Sequence, residues 1–388
     1  MSVSFAREAP GRVSGLLPET GRGLTVIQLT WSLVAGGAET YAYNIARGLK
    51  DRGYRPLICA LDQGGALEGE IRRARIPCIV MNRRPGIDVL LCWRLWRLFR
   101  AIRPDVVHTH HFNQLFYGGI SARLSGARVI HTEHSVSLYS SRRFRIALRI
   151  LSWLCDRVTV VGHQGKHVLV ETVGIPLEKL QTVAGGVDAV KFCESRESAR
   201  SDLGIDEQDR VVAIVARLYP EKNHRLLLRA FSEVARRIER ARLLIVGDGI
   251  ERRAIAAEVE RLNLEDRVSL FGVRRDIPRI LAACDVFALP SHREGLPIAV
   301  LEAMAAARPV VASAVGDLPC IIKDGKSGIL FDPGDSEALA AALTRILEDP
   351  VLAGNMGDCG RSAVISQFAL SAMVEKYESL YSARSTPR

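Results

Sequence analysis

The chain is predicted to be an α/β protein of two Rossmann-like domains facing one another across an interdomain cleft. Three observations lead there. Short β-branched runs alternate with amphipathic stretches, as expected where crossover helices join parallel strands and cover both sheet faces. The alternation lapses into a polar segment and then restarts. The length, 388 residues with 48% hydrophobic and 25% charged, suits two domains that each bury a core.

Residues 1–23 contain arginines, prolines and glycines but no sustained apolar centre. They read as a flexible leader and not as a secretory signal. Residues 25–30 form the first strand. The glycine-rich turn Ala35-Gly36-Gly37-Ala38 follows, and then an amphipathic helix over about 39–50. A strand at 56–61, a helix near 67–74 and a strand at 78–81 come next. A helix over 88–102 precedes the strand 105–108, and residues 24–190 make one doubly wound domain. Residues 187–209 are polar with few apolar anchors, which places the hinge near 190. The second domain, 191–370, has strands at 211–215, 243–246, 268–271, 286–289, 310–312 and 328–331. Helices at 226–237 and 250–262 fall between the first of these. A final helix around 371–380, within residues 371–388, follows the last strand. Whether it crosses back onto the first domain is left open by the pattern.

Several function classes drop out early. No run of 18 apolar residues occurs, so no helix of spanning length is expected. Eight scattered cysteines with no CxxC pair fit reduced cytoplasmic thiols and not a disulfide framework or zinc ribbon. The formal charge of +10 suits an anionic partner. No basic stripe interleaved with aromatics and no reader motif accompanies it, which argues against nucleic acid.

Gly325-Lys326-Ser327 imitates the end of a P-loop, but Cys320 stands where the upstream glycine belongs. Gly247-Asp248-Gly249 follows a strand, but Arg252 replaces the third glycine of a dinucleotide fingerprint. There is no GxSxG elbow and no Asp-x-Asp pair for a metal–diphosphate. The clusters His108-Thr109-His110-His111 and His131-Thr132-Glu133-His134 lack partners at zinc spacing, so a metal-free polar cleft is expected there.

Other positions fit an anionic ligand. Gly36 and Gly37 open a helix whose N-terminus attracts negative charge. Arg217 and Lys222 follow a strand at its carboxyl edge and can grip a diphosphate, one by its fork and one as a point charge. Glu294 and Glu302 are eight residues apart, near one helical face if Glu294 opens the helix. A carboxylate in the apolar helix around Glu302 calls for a partner, either a ribose diol or an internal salt bridge.

This ordered set resembles the large retaining glycosyltransferase family 4, with its GT-B fold. The match runs through Gly36-Gly37-Ala38-Glu39, Gly186-Val187-Asp188, Arg217 with Lys222, Gly247-Asp248-Gly249 and Pro290-Ser291. It continues through Glu294-Gly295-Leu296-Pro297, Glu302-Ala303, 309–312 and Asp324-Gly325-Lys326-Ser327-Gly328. The resemblance implies an N-terminal acceptor-binding domain and a C-terminal domain that binds a UDP- or GDP-linked sugar. Arg217 and Lys222 would neutralise the diphosphate, Glu302 would hold the ribose, and Glu294 would meet the sugar near its reacting carbon. Gly36, Gly37, Gly247, Gly295 and Leu296 would line the donor. His134, from the family's Thr-x-His, would be the acceptor-side histidine. No metal or other cofactor is implied. The chain departs from the family pattern at Gly185, Asp317 and Cys320.

The stretch 88–104 carries Trp93, Trp96 and Phe99 among Arg94, Arg97, Arg100 and Arg103, close to Arg142-Arg143-Phe144-Arg145. It is either a sheet-covering helix with a solvated arginine face or a basic interfacial helix. The second reading puts a saccharide or lipid-linked acceptor at the inner face of the cell membrane. Two rivals remain, a GT-B nucleotide-sugar epimerase and a non-catalytic nucleotide-sugar binder.

Overall fold

The computed structural model describes residues 3–4, 23–34, 36–134 and 137–383. The expected leader lies outside these residues except for Val3, Ser4 and Gly23. Contacts divide the chain into two units, Met1–Gly186 with Leu370–Arg388, and Val187–Ala369.

The first unit holds a parallel sheet of β1 (Val3–Ser4), β2 (Thr25–Thr30), β3 (Arg55–Ala60), β4 (Cys78–Val80), β5 (Val106–His110), β6 (Arg128–Glu133), β7 (Arg157–Val160) and β8 (Leu180–Thr182). Their spatial order is β1-β4-β3-β2-β5-β6-β7-β8. The chain thus winds outward from β2 in one direction and returns to β5 to wind in the other. Such a reversal parts the loops beyond the strand ends and leaves a crevice for ligands. The second unit repeats the device with β9 (Arg210–Val215), β10 (Ala241–Val246), β11 (Val268–Gly272), β12 (Val286–Leu289), β13 (Val310–Ser313) and β14 (Gly328–Phe331), ordered β11-β10-β9-β12-β13-β14. Its reversal lies between β9 and β12. Every strand of this sheet pairs in parallel, and the central ones are buried on both faces by apolar residues.

The polar stretch 187–209 folds with the second unit, which begins at Val187 against the hinge expected near 190, and its anchor is not apolar. Arg200, in the helix Arg196–Leu203, is fully buried. It donates to the carbonyls of Ala283, Asp206, Glu207 and Asp209 and to Asp285 Oδ2 at 2.9 Å. A guanidinium satisfied on every side replaces a hydrophobic plug there.

The helix Leu370–Ser382 returns to the first unit and buries Met373, Val374, Tyr377, Leu380 and Tyr381 in it. The helix Val89–Ile102 starts at Asp88, whose side chain accepts from the Leu91 amide at 3.2 Å. It buries Leu91, Leu95, Leu98, Phe99 and Ile102, as a sheet-covering helix does, while Val89, Leu90 and Trp93 stay exposed.

Candidate active site

In the second domain the loops that leave β9 and β12 flank the topological reversal. The first carries Arg217 and Lys222, the second Ser291 and Glu294. The amide of His292 donates to the Glu221 carbonyl at 2.8 Å and ties the two loops together. Lys222 Nζ donates to both carboxylate oxygens of Glu294, at 2.7 and 2.9 Å, and Ser291 donates to Oε1 at 2.6 Å. Ser313, at the end of β13, holds the Ser291 carbonyl at 2.5 Å. Glu294 keeps only 6% of its side chain exposed and Lys222 17%, so the pair is fixed in a low-dielectric setting. Arg217 is freer. Its side chain is 63% exposed, lies over the Tyr219 ring and reaches Glu221 at 3.3 Å.

Glu294 and Glu302 do not share a helical face. The helix spans Ile298–Ala305 with Pro297 before it, so Glu294 sits in the preceding loop. Proline there fixes an extended entry and denies the helix an earlier start. The internal salt bridge considered for Glu302 belongs to Glu294 instead. Glu302 is half-buried and accepts no hydrogen bond from any described residue. Burial pushes its carboxyl up to about 7, against the opposing pull of the Lys191 charge.

The glycines separate by cause. Gly247 has φ +139°, and a Cβ there would lie 1.9 Å from the Ala216 carbonyl oxygen, so the chain itself demands glycine. Around Gly37 a Cβ would meet nothing within 4 Å. Gly37 opens the helix Gly37–Asp51, with Gly36 in extended conformation before it. Gly295 is exposed, and Leu296 packs half-buried against the core.

In the first domain His134 follows β6 and is half-buried. Its Nε2 lies 3.0 Å from His110 Nδ1, and His110 Nε2 lies 2.8 Å from Gln28 Oε1. His108, expected in a polar cleft, is fully buried between Tyr381 and Thr132, each at 2.6 Å. Tyr377 adds contacts to Thr132, Thr159 and Tyr41 at 2.9 to 3.1 Å. Burial first, and then the neighbouring histidines, hold His108, His110 and His134 well below the usual imidazole range. On the opposite sheet face Glu133 takes Tyr139 and His111. Burial alone would raise its carboxyl, but His111 and His131 outweigh that and hold it well below the carboxylate range. Among the described residues no group of three His, Cys, Asp or Glu is placed to hold a metal ion.

Comparison with known proteins settles the relationship. Residues 35–191 match the family described as Glycosyltransferase Family 4, and residues 195–363 match Glycosyl transferases group 1. An Escherichia coli UDP-Gal:alpha-D-GlcNAc-diphosphoundecaprenol alpha-1,3-galactosyltransferase is 30% identical over 333 residues, 81% of this chain and 84% of its own. The chain belongs to glycosyltransferase family 4. The N-acetyl-alpha-D-glucosaminyl L-malate synthase of Bacillus anthracis is 28% identical across 76% of this glycosyltransferase and 79% of its own length. The fold is GT-B. The Anabaena protein HepE, crystallised with UDP and glucose, superposes with a TM-score of 0.84 at 23% identity, covering 93% of this chain and all of that one. The glycosyltransferase therefore transfers a glycosyl group, and neither epimerase nor binding-only protein describes it.

Sequence reasoning missed several of the enzyme's polar residues. Tyr41, Tyr377, Tyr381 and Gln28 come from three distant segments and read locally as amphipathic helix or strand. The one available signal was Gln28 inside an otherwise apolar run, since a buried amide needs partners.

Proposed function

We propose that this family 4 enzyme moves a sugar from a UDP- or GDP-linked donor, with retention of configuration, to a saccharide or lipid-linked acceptor in polysaccharide or glycolipid synthesis. The observations that carry the reading are the fixed Lys222–Glu294–Ser291 cluster and a half-buried Glu302 that accepts no hydrogen bond from a described residue. A carboxylate without a protein donor in such a place suits a vicinal diol, whose two hydroxyls would supply the missing hydrogen bonds. Arg217 and Lys222 would neutralise the diphosphate, while Glu294, turned by Lys222 and Ser291, would face the sugar. Gly36 and Gly37 would admit the phosphates, because no neighbour in the chain accounts for Gly37. Gly247, Gly295 and Leu296 would shape the donor pocket. His134 would serve the acceptor side in the first domain.

Cleaving the C–O bond to the nucleoside diphosphate develops positive charge on the sugar and negative charge on the leaving group. Preorganised cations at the diphosphate are worth roughly a hundredfold or more in rate. The acceptor would attack on the face that the leaving group vacates, its proton passing to the departing phosphate. The absent Asp-x-Asp pair supports a reaction in which side-chain cations do this work without a metal. Lys222→Ala and Arg217→Ala are each expected to cut turnover by about a hundredfold. Turnover within a factor of two of the parent in both would remove the diphosphate assignment.

A lipid-linked acceptor is supported by the first domain's surface. Trp93 is 52% exposed and Leu90 56% on the helix Val89–Ile102, beside Leu124 at 66% on the adjoining helix His111–Leu124. Ile146, Ile150 and Trp153 are likewise exposed on the next helical stretch. Arg97 lies over Trp93 at 4.7 Å and Lys179 over Trp153 at 5.2 Å. Tryptophans capped by cations suit the boundary of an anionic bilayer at the cytoplasmic face. No helix among the described residues is long and apolar enough to cross a membrane. The protein is expected to float with anionic liposomes, and Trp93→Glu with Trp153→Glu to abolish this; flotation unchanged by that pair rules the surface out.

A further inference from the structure

We propose that a one-way chain of hydrogen bonds holds His134 as the neutral imidazole protonated on Nε2, so that its bare Nδ1 selects a hydroxyl over a phosphate or carboxylate. This rests on the reading of His134 as a substrate-side residue. His110 and Gln28 are then positioning residues, acting through the ring of His134.

The direction of every bond follows from one end. A carbonyl oxygen can only accept, so the Tyr41 hydroxyl donates to the Val183 carbonyl at 3.0 Å. With its proton committed, Tyr41 accepts from Tyr377 at 2.9 Å. Tyr377 has no second proton, so Thr132 donates to it at 2.9 Å. The Thr132 oxygen in turn accepts from His108 Nε2 at 2.6 Å. A neutral ring protonated there has a bare Nδ1, which accepts from Tyr381 at 2.6 Å. Tyr381 is left to accept, and the Gln28 amide nitrogen donates to it at 3.2 Å. That turns the Gln28 oxygen toward His110 Nε2, which donates across 2.8 Å. His110 Nδ1 is bare in consequence and accepts from His134 Nε2 at 3.0 Å.

The opposite direction is the poorer at its far end. Thr132 would give its proton to His108, and Tyr41 still gives its own to Val183. Tyr377 and Thr159 would then supply two protons for the four contacts Tyr41–Tyr377, Tyr377–Thr132, Thr132–Thr159 and Thr159–Tyr377, leaving two without a proton where the first direction leaves one. The sheet register makes the chain possible. Gln28 stands beside His108, His110 beside Thr132, and Thr132 beside Thr159, on the face covered by Tyr41 and the tyrosines of the last helix. Burial keeps the rings neutral, as the chain requires.

At its outer end, Nδ1 of the half-buried His134 accepts no hydrogen bond from a described residue. A bare ring nitrogen welcomes an O–H and repels an anionic oxygen. It would therefore read a sugar or acceptor hydroxyl, while the diphosphate is left to the cations of the second domain.

Ring-nitrogen spectra of the 15N-histidine-labelled protein test this directly, with His134 assigned by its loss in His134→Gln. The expected result near neutral pH is a proton on Nε2 and none on Nδ1; a proton on Nδ1, or an averaged ring, overturns the chain. Tyr377→Phe combined with Thr159→Val removes both hydroxyls to which Thr132 can donate. The changes are separated from His134 by Thr132, His108, Tyr381, Gln28 and His110, and the double variant should produce mixed tautomers at His134. His110→Gln should keep the Nε2 proton, since its amide oxygen accepts in place of the ring nitrogen. A fixed tautomer in the Tyr377→Phe, Thr159→Val double variant counts against the chain. Unchanged transfer by His134→Ala would overturn the substrate-side role, and hydroxyl selection with it, whatever the spectra show.

Discussion

The histidines and tyrosines under the last helix of the first domain hydrogen-bond to one another through Gln28 and Thr132, whereas in the second domain Glu302 accepts no hydrogen bond from a described residue. In the first, neutral imidazoles, hydroxyls and one amide form a continuous network under the last helix that ends at His134. In the second, a lysine, a serine and a glutamate are locked together while Glu302 accepts nothing. A satisfied network confers rigidity and a unique arrangement. An unsatisfied carboxyl costs stability and is retained where a ligand completes it. On the function proposed above, the first domain is a preset frame and the second a grip that the ligand completes.

The strongest way to break this contrast is to remove the locked cation. Lys222→Met leaves Glu294 with Ser291 alone, and donor turnover is expected to fall by about a hundredfold or more in steady-state assays. The rate loss should accompany a second domain destabilised by roughly 3 kcal/mol, as for other broken buried pairs. Loss of stability with unchanged turnover would make the cluster purely structural.

Acid separates the domains next. His108, His110 and His134 have folded pKa values below the unfolded 6.5, so their contribution is complete above about 6.5 and is lost as pH falls. Glu133, also depressed, adds a loss of the same sign below its unfolded 4.5. Glu302 runs the other way. Raised to about 7 from 4.5, it favours the folded state most below 4.5 and progressively less as pH rises toward 7. Hydrogen exchange on strand amides should show the first domain weakening on acidification. Glu302→Gln should raise the second domain's stability at neutral pH by on the order of 2 kcal/mol. Parallel pH profiles in the two domains would erase the distinction.

The smallest effect is expected at the hub of the first domain's network. Tyr377→Phe leaves packing intact but removes the hydroxyl that joins Thr132 to Tyr41. It should lower the first domain's unfolding free energy by about 1–2 kcal/mol in urea titrations, with no change in nucleotide affinity. A loss of nucleotide affinity would mean that the two sites are not separable in this way.

Legibility followed range. Strands, crossover helices and the domain repeat were readable because a buried parallel strand is written in contiguous β-branched residues, as at 211–215 and 243–246. That Arg217, Lys222 and Glu294 lie just beyond strands of the second sheet was readable from where those strands end, the edge at which such folds bind ligands. The separation of the two glutamates was not legible, since a shared face at eight-residue spacing presumes one continuous helix and the helix starts only after Pro297. The burial of Arg200 was not legible, because a guanidinium that replaces an apolar anchor cannot be told from a solvated one by its neighbours in sequence.

Local order in the chain thus determined where strands and helices form, how many sheets result and which loops carry cations, since these depend on propensity and periodicity over a few residues. Only the tertiary structure decided that Gln28, Tyr41, Thr132, Tyr377 and Tyr381 share one network and that Glu294, not Glu302, takes the lysine. Those outcomes depend on which donors meet which acceptors across hundreds of residues, and a hydrogen bond acts over about 3 Å of space, whatever the separation along the chain.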